Sequence, residues 1–504
     1  MSKISVCLLG GDNPWENSDI PAGVRVLHLF QLTGVSFPAP EITILQKQPE
    51  DGEIEVLEKA VLPYTLFVTE QAIPNRGTEY MDFFLQKCGR ILKQEDRKSF
   101  LRKNARYFFS EAFGIHLDLK NLAIGRDFTG KVVWNGNISV ELEGDFGKQL
   151  QQVVYYRGFV DLLAGCEYEL FMENEAEGDV SLMLETAQFT EKSGDTPVNK
   201  AVFTAEQLRR PVHITGKSNA RLFLSLRAQG NGRLRIKGIH FRRSRGTFGY
   251  FLPGGERYVT SKQEELYCYF CRGKRKAPFV VFFSDFHEKE GFDGVHLFRR
   301  LGVPFLLLTD TRAGRTGGYL GTHEYEELVR SVIREKAELL SVPEGEMIFS
   351  GISMGAMGAA YYAGYFSPGY LLLGKPLAGI GTIAKNGKHV RPGIFPEALD
   401  LMLYRKQVLR EPDEESADRH FWERTEEADF SDTSVGICYM SDDDFDPEVY
   451  RKMTALESMT RKGFYRKEIL GRHNDAGKEL AGWMTDRFEM IIKDNFSQEE
   501  DVHP

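Results

Sequence analysis

The second half of the sequence contains five short, uninterrupted apolar runs, and helical patterns separate several of them. The runs are FVVFF at 279–283, VPFLLL at 303–308, MIF at 347–349, YLLL at 370–373 and VGICYM at 435–440. Apolar runs without alternation are typical of strands buried on both faces of a parallel sheet. Amphipathic stretches such as 323–340 and 446–461 supply helices to cover that sheet. The sequence therefore predicts an α/β domain with a mostly parallel sheet over residues 246–504.

Residues 128–245 follow a different rule, because apolar and polar residues alternate there. Alternating apolar positions are Ile138, Val140 and Leu142, then Val180, Leu182 and Leu184, then Leu222, Leu224 and Leu226, then Leu234 and Ile236. Strands of period two separated by Gly, Asn and Asp predict a β-sandwich, with one turn expected at residues 229–232. Tyr155, Tyr156 and Phe159 in this segment suit either core packing or stacking on a sugar.

The rest of the chain, residues 1–127, mixes strand and helix patterns and predicts a mixed α/β region. A length of 504 residues suits two to four domains at roughly 100–200 residues each. Its start, MSKISVCLLGGDNP, is expected to be a strand and turn and not a signal peptide.

Charge and cysteine content exclude several function classes. The net charge of 64 − 73 = −9 disfavours general binding to nucleic acid. Six cysteines are too few for a disulfide scaffold and suit the reducing cytoplasm. Cys268 and Cys271 form a C-x-x-C that has no second pair, so no metal site is predicted.

Ser353 lies at the centre of a Gly-x-Ser-x-Gly motif, in SGISMGAMGAA. The apolar run before it and the small residues after it predict a strand, a sharp turn and a helix, which is the setting of a nucleophile elbow. The alternative is a Gly/Ser turn without chemistry. The elbow interpretation predicts an α/β-hydrolase-like domain with Ser353 as nucleophile.

A serine nucleophile needs a base, and in this fold the order along the chain is Ser, acid, His. His473 follows a predicted last strand and precedes a predicted last helix, so it is the expected base. His287, His296 and His323 precede the elbow and do not fit that order.

The acid is expected in the turn SDDDFDP after VGICYM. Asp443 is the first choice and Asp444 the second. Asp442 remains an alternative, as does Asp446, although Asp446 also suits a helix N-cap before Pro447.

An oxyanion hole requires two N–H donors close to the nucleophile. The Met354 N–H is the first expected donor. The second is expected from the loop SDFHEKEGFDG after FVVFF, from the main chain of Asp285 or Phe286, although an ordinary surface loop is the alternative. Arg312 and Arg315 in the next loop could meet an anionic substrate or remain solvated.

These residues predict an acyl-enzyme on Ser353. Water as acceptor would make the protein an esterase or peptidase, and a bound alcohol would make it an acyltransferase. A third hypothesis is a non-catalytic subunit that chaperones or docks an exported protein and keeps a vestigial elbow.

Four segments resemble the accessory secretory protein two family of the accessory Sec system in Gram-positive bacteria. They are SGISMGAMGAAYYAG, TDTRAGRTGGYLGT, IHFRRSRGTFGYFLPGGERY and GRHNDAGKELAGWM. The resemblance implies a carbohydrate-binding-like β-sandwich before the hydrolase-like domain. It also implies O-acetylation of N-acetylglucosamine on serine-rich-repeat adhesins through Ser353, His473 and an acid at Asp443.

The same resemblance implies a role in export of those adhesins. The expected partners are two sister accessory secretory proteins, the accessory Sec motor ATPase and the glycosylated adhesin. The implied location is cytoplasmic, with peripheral membrane association through the translocase. No bound cofactor is expected, but an acetyl donor is required, and acetyl-CoA is a candidate.

Overall fold

The computed structural model describes residues 4–32, 39–110, 113–287, 289–312, 318–389, 398–408 and 413–496, whose strands form three sheets. Within these residues no helix is both long enough and apolar enough to cross a membrane.

The first sheet is parallel and belongs to the N-terminal region, where the sequence predicts mixed α/β structure. Its strands are β1 (Ile4–Leu9), β2 (Val24–Leu29), β3 (Ile42–Leu45), β4 (Leu66–Thr69) and β5 (Arg90–Leu92), in the order β2-β1-β3-β4-β5. The accompanying helices are α1 (Asp51–Ala60), α2 (Glu79–Gln86) and α3 (Gln94–Asn104). Apolar clusters cover both faces of this sheet, which is why its strands carry few polar residues.

The second sheet is antiparallel throughout. Its strands are β6 (Gly114–His116), β7 (Leu122–Ile124), β8 (Lys131–Asn135), β9 (Ser139–Tyr156), β10 (Val160–Leu162), β11 (Cys166–Phe189), β12 (Asn199–Thr204), β13 (Val212–Gly216) and β14 (Ala220–Arg243). The short strands β6 and β7 precede residue 128 and still pair with this sheet, so it begins earlier in the chain than the predicted 128–245 segment.

Two layers form because the long strands of the second sheet fold back on themselves. Leu170 and Leu184 both belong to β11 and line the same small cavity, as do Leu224 and Ile239 of β14. A straight strand would hold residues that are 14 or 15 positions apart at roughly 46–50 Å, so each strand must bend between them. The predicted two-layer packing is present, but the layers share strands. We call this unit the bent sheet.

The turn predicted at residues 229–232 is wrong, because β14 runs through it without interruption. Gly230 has φ +98°, and a Cβ there would lie 1.6 Å from the Asp179 carbonyl oxygen. Glycine therefore allows the bend and the close approach of β11 at this point. A glycine cluster inside a strand resembles a turn in sequence, which explains the error.

The third sheet has eight strands and is mostly parallel, as predicted for the C-terminal domain. Its strands are β15 (Gly255–Val259), β16 (Glu265–Cys271), β17 (Phe279–Phe283), β18 (Phe305–Asp310), β19 (Met347–Ile352), β20 (Tyr370–Gly374), β21 (Ser434–Met440) and β22 (Gly463–Ile469). Only β15–β16 and β16–β18 are antiparallel pairs among those described.

Helices lie on both faces of the third sheet. They are α4 (Val295–Leu301), α5 (His323–Leu340), α6 (Met354–Phe366), α7 (Ile380–His389), α8 (Ala398–Val408), α9 (Glu414–Glu427), α10 (Val449–Thr454), α11 (Glu457–Arg461) and α12 (Gly477–Phe496). One apolar cluster joins α5, α6 and α9 to one face, and another joins α4 and α12 to the other. Cys268 and Cys271 lie in these opposite clusters, so β16 holds the two thiols on opposite faces.

The strand order β15-β16-β18-β17-β19-β20-β21-β22 fixes the position of the site. From β17 the chain moves to β18 on one side and later to β19 on the other, so the winding direction changes between β17 and β19. A crevice opens at the carboxyl ends of strands at such a switch point, and ligands of open α/β sheets bind there.

Candidate active site

Ser353 occupies the sharp turn between β19 and α6, where an elbow is predicted. Its backbone has φ 55° and ψ −118°, an uncommon conformation for a residue with a side chain. The strand and the helix approach so closely that a Cβ on Gly351 would lie 2.3 Å from the Gly355 carbonyl carbon. A Cβ on Gly355 would lie 2.1 Å from the Phe283 carbonyl oxygen. Both glycines of the motif are thus required by packing.

The structure brings Ser353, His473 and Asp443 into one hydrogen-bonded chain. The Ser353 Oγ lies 2.9 Å from His473 Nε2, and His473 Nδ1 lies 2.8 Å from Asp443 Oδ2. His473 follows β22 and Asp443 follows β21, so all three residues lie at the carboxyl edge of the sheet. This geometry allows His473 to accept the serine proton while Asp443 fixes the orientation of the ring.

The other acids of the same turn point elsewhere. Asp444 accepts a hydrogen bond from the His473 main-chain N–H at 3.1 Å, and Asp442 accepts one from the Ser441 hydroxyl. Asp446 is buried and accepts the N–H groups of residues 378 and 379, just before α7. The predicted N-cap role of Asp446 before Pro447 is therefore wrong, because its carboxylate caps a neighbouring segment.

The surroundings keep Asp443 charged. Burial alone would raise the pKa of Asp443, but the hydrogen bond from His473 and the N–H groups of Asp446 and Phe445 outweigh it and lower that pKa below its usual value. The Phe445 ring also stacks on the His473 ring, with centroids 4.3 Å apart. An ionised carboxylate behind a fixed imidazole is the arrangement that a serine nucleophile requires.

Two of the three predicted oxyanion donors converge on one point. The Met354 N–H and the Phe286 N–H both donate to Asp285 Oδ1, at 3.2 Å and 2.8 Å. The structure does not place the Asp285 N–H in this pair, because it donates to Asp293 Oδ2 at 2.9 Å. Asp285 instead contributes its side chain.

The loop that carries Phe286 is tied down at several points. The Asp293 N–H donates to the Ser284 Oγ at 3.0 Å, and His287 Nε2 lies 2.9 Å from the Asp293 carboxylate. Hydrogen bonding to Asp293 raises the pKa of His287. His287 is therefore a loop partner of Asp293, consistent with its exclusion as the base.

Glu290 anchors the same loop to the bent sheet. Its carboxylate accepts hydrogen bonds from Arg242 at 2.6 Å and lies 2.9 Å from His240 Nδ1, both on β14. Arg242 also pairs with Glu265 of β16. Burial would raise the pKa of Glu290, but the Arg242 charge outweighs it and lowers that pKa.

His240, Glu265 and Glu290 offer ligand atoms close enough together to hold a metal ion. The Arg242 guanidinium bonds to both carboxylates. A fixed cation at this position already compensates the acids, so the group does not fit a metal ion.

Arg312 and Arg315 are the two arginines that the sequence suggests for contact with an anionic substrate. Arg312 is 2% exposed and forms ion pairs with Asp310 and Glu264, and its guanidinium lies 3.8 Å from the centroid of the Tyr325 ring. It therefore belongs to a buried network. Arg315 lies outside the described residues.

Sequence reasoning missed Lys375 and Asp293. The Lys375 Nζ donates to the His473 carbonyl oxygen at 3.1 Å, and Lys375 follows β20 directly. Its place at the end of a parallel strand is a signal that could have identified it. Asp293 lies in the quoted loop, but only the fold of that loop shows which main-chain groups it holds.

Comparisons with known proteins show which family the chain belongs to. Residues 37–498 match the family described as the accessory Sec system GspB-transporter. The chain is 33% identical to accessory secretory protein two of the Streptococcus gordonii accessory Sec system over 451 residues, 89% of this chain and 88% of that protein. It is 31% identical to the protein of the same name from Staphylococcus aureus (strain NCTC 8325 / PS 47) over 391 residues, 77% of this chain and 75% of that protein.

A solved structure described as the Glycosylation Associate Protein (Gap123) complex from Streptococcus agalactiae is also similar. Its matching chain shares 26% identity with a TM-score of 0.83, over 98% of this chain and 99% of that chain. The family match covers most of the sequence, and the two relatives exceed 30% identity over most of their own length. This chain therefore belongs to the accessory secretory protein two family of the accessory Sec system.

Proposed function

We propose that this chain is an O-acetyltransferase that acetylates N-acetylglucosamine on serine-rich-repeat adhesins and takes part in their export. The observation that carries the proposal is the hydrogen-bonded chain from Ser353 through His473 to Asp443, beside the switch point of the sheet. Membership of the accessory Sec family supports the export role.

In the first half-reaction Ser353 Oγ attacks the carbonyl carbon of an acetyl ester or thioester. His473 Nε2 takes the serine proton as the new C–O bond forms. The N–H groups of Met354 and Phe286 hold the carbonyl oxygen as it gains negative charge. His473 then returns the proton to the leaving alcohol or thiol as the old bond breaks, and an acetyl-enzyme remains. Acetyl-CoA is a suitable donor, and this chemistry needs no bound cofactor.

In the second half-reaction a sugar hydroxyl attacks the acetyl-enzyme. His473 accepts the hydroxyl proton and passes it to Ser353 Oγ, so that the serine is regenerated and the sugar leaves as its acetyl ester. Water competes for the same intermediate, and an oriented hydroxyl prevails through its high effective concentration.

The proposed setting of this reaction is the cytoplasmic side of the accessory Sec pathway. We propose sister accessory secretory proteins as partners, because the similar Streptococcus agalactiae chain belongs to a structure described as a complex. The motor ATPase and the glycosylated adhesin are proposed as further partners, with peripheral membrane association through the translocase.

The test is mass spectrometry of the adhesin glycan from cells that carry the wild-type, Ser353→Ala or Ser350→Ala protein. Ser350 lies three residues earlier on β19 and is also buried, so it is a matched control. We expect Ser353→Ala to remove the acetyl groups and Ser350→Ala to retain them. Acetylated glycan from the Ser353→Ala strain would contradict the proposal.

A second candidate function is a docking or chaperone subunit for export that performs no chemistry. The closed site favours it, because Ser353 is only 5% exposed and His473 only 1%. Export measured in the same strains separates the two functions: normal export with unchanged glycan mass in the Ser353→Ala strain supports docking alone. Rapid hydrolysis of acetyl esters without transfer to sugar would instead indicate an esterase.

A further inference from the structure

One side-chain oxygen occupies the point where the two oxyanion donors meet. Asp285 Oδ1 accepts the Phe286 N–H at 2.8 Å and the Met354 N–H at 3.2 Å. Met354 directly follows the nucleophile, and Phe286 lies in the loop after β17. These two positions supply the oxyanion donors of serine enzymes with this fold. A carboxyl oxygen of the protein therefore stands where the substrate oxyanion would form.

This occupancy is incompatible with a substrate carbonyl in the same place. While the Met354 and Phe286 N–H groups donate to Asp285 Oδ1, they cannot also donate to a substrate oxygen. The enclosure of Ser353, which is 5% exposed, fits a site closed in this state. Productive acylation requires Asp285 Oδ1 to leave.

The main chain around Asp285 is fixed, so the departure needs only a side-chain rotation. The Asp285 N–H donates a hydrogen bond to the Asp293 carboxylate, and the Asp293 N–H donates one to the Ser284 Oγ. Further along, Glu290 is bound by Arg242. The N–H groups that form the hole therefore keep their positions when the carboxylate leaves them.

We propose that Asp285 is an internal gate of the oxyanion hole: its carboxylate fills the hole at rest, and the carbonyl of the acyl donor must displace it. This inference rests on the proposed function of Ser353. The gate would make acylation slow for small esters that bring little binding energy, and faster for a donor whose remaining contacts stabilise the open state. Asp285 thus selects among donors at the acylation step.

The electrostatic surroundings favour such a gate. Burial raises the pKa of Asp285, while the Phe286 N–H and the charges of Lys375 and His473 partly oppose that rise. The charged form of Asp285 is therefore less favoured in this buried site than it would be in water, and the Lys375 charge is close enough to act on it.

The test uses the full-length protein and two probes that need no sugar: 4-nitrophenyl acetate and the phosphorylating agent diethyl 4-nitrophenyl phosphate. The phosphate triester reacts with an activated serine and directs its phosphoryl oxygen into the oxyanion hole. The measured quantities are kcat/KM for the ester and the second-order rate of Ser353 modification, followed by intact mass.

We expect Asp285→Ala to raise both rates by about tenfold or more, because the two hydrogen bonds to the Asp285 carboxyl no longer need to be broken. Asp285→Asn keeps a weaker acceptor of the same shape, so its rates should rise less. Asp442→Ala removes an exposed acid of the neighbouring turn and should leave both rates unchanged. A residue that only supports the loop would lower the rates on removal.

The Ser353→Ala protein shows whether modification depends on Ser353. It therefore distinguishes failure of the gate from failure of the proposed acyl transfer. If Ser353 is modified in the wild type but reacts no faster in either Asp285 variant, the gate is overturned and the nucleophile stands. If no protein shows modification that depends on Ser353, the proposed acyl transfer and the gate are both overturned.

Discussion

At the scale of single residues, neighbouring aspartates in the turn after β21 form different contacts with His473. Asp443 reaches the His473 ring, whereas Asp444 reaches the His473 main chain. The two side chains are chemically identical, so the backbone of the turn alone decides which one orients the imidazole. This is why the sequence limits the acid to a few positions without resolving the choice.

Asp443→Asn should lower kcat for acetyl-ester turnover by about 10⁴-fold, because the amide cannot stabilise the protonated imidazole and favours the wrong tautomer. Asp444→Asn, the matched control in the same turn, should retain most of the activity. Comparable losses in both variants would contradict the assignment of Asp443.

At the scale of elements, the contact between β19 and α6 depends on the absence of side chains. Gly355→Ala would place a Cβ 2.1 Å from the Phe283 carbonyl oxygen of the neighbouring strand. Backbone must move to relieve that contact, and we expect a loss of about 3 kcal/mol in the free energy of unfolding. The denaturant midpoint measures it.

Gly482→Ala is the control for that substitution, because nothing lies within 4 Å of a Cβ at this position of α12. Alanine should stabilise the exposed helix by about 0.5–1 kcal/mol. The change in the free energy of unfolding should thus have opposite signs for the two substitutions. That result would show that contact with the strand, and not helix propensity, determines the effect of alanine at position 355.

Helix α9 is joined to α7 by a buried acid that gives the fold a pH dependence. Asp418 accepts the Gly381 N–H and the Thr382 hydroxyl, and burial raises its pKa to about 6. An acid with a raised folded pKa favours the fold most below its unfolded pKa. That stabilisation is lost as pH rises from about 4 to about 6, at a cost of about 2–3 kcal/mol.

Asp418→Asn removes this titration, so the stability of the wild type relative to the variant should fall between pH 4 and pH 7. Unfolding in urea at several pH values measures the difference. Glu423→Gln, at an exposed position of the same helix, should leave the wild-type pH dependence in place. A constant difference between wild type and Asp418→Asn would exclude this cause.

At the scale of the whole molecule, Arg242 joins the bent sheet to the third sheet through Glu265 and Glu290. Arg242→Leu removes the cation that two buried carboxylates share, which leaves Glu265 with Arg257 and Glu290 with His240. We expect a loss of about 3–5 kcal/mol in the free energy of unfolding. Arg233 lies on β14 like Arg242, and its ion pair with Glu177 of β11 is largely exposed. Arg233→Leu should therefore cost less than about 1 kcal/mol. Similar denaturant midpoints for the two variants would contradict the central role of Arg242.

The sequence predicts local patterns well and contacts between distant segments poorly. The apolar runs and the strand–turn–helix around Ser353 are local, and the order Ser, Asp, His follows from a parallel sheet that brings strand ends together. The bend of β14 at Gly230 and the occupied oxyanion hole are not local. Both depend on which backbone approaches from another part of the chain, which a residue pattern does not encode.

The ion pairs of Arg242 with Glu265 and Glu290 also limit how the chain can be divided into segments that are exchanged between relatives. Glu290 belongs by sequence to the loop that supplies Phe286, yet its charge is balanced by β14 of the preceding sheet. A chimera that exchanges the bent sheet between relatives must therefore transfer the matching loop residues as well. The boundary of such a chimera must keep Arg242 together with its partners Glu265 and Glu290. A boundary placed in a linker between the two sheets would separate them.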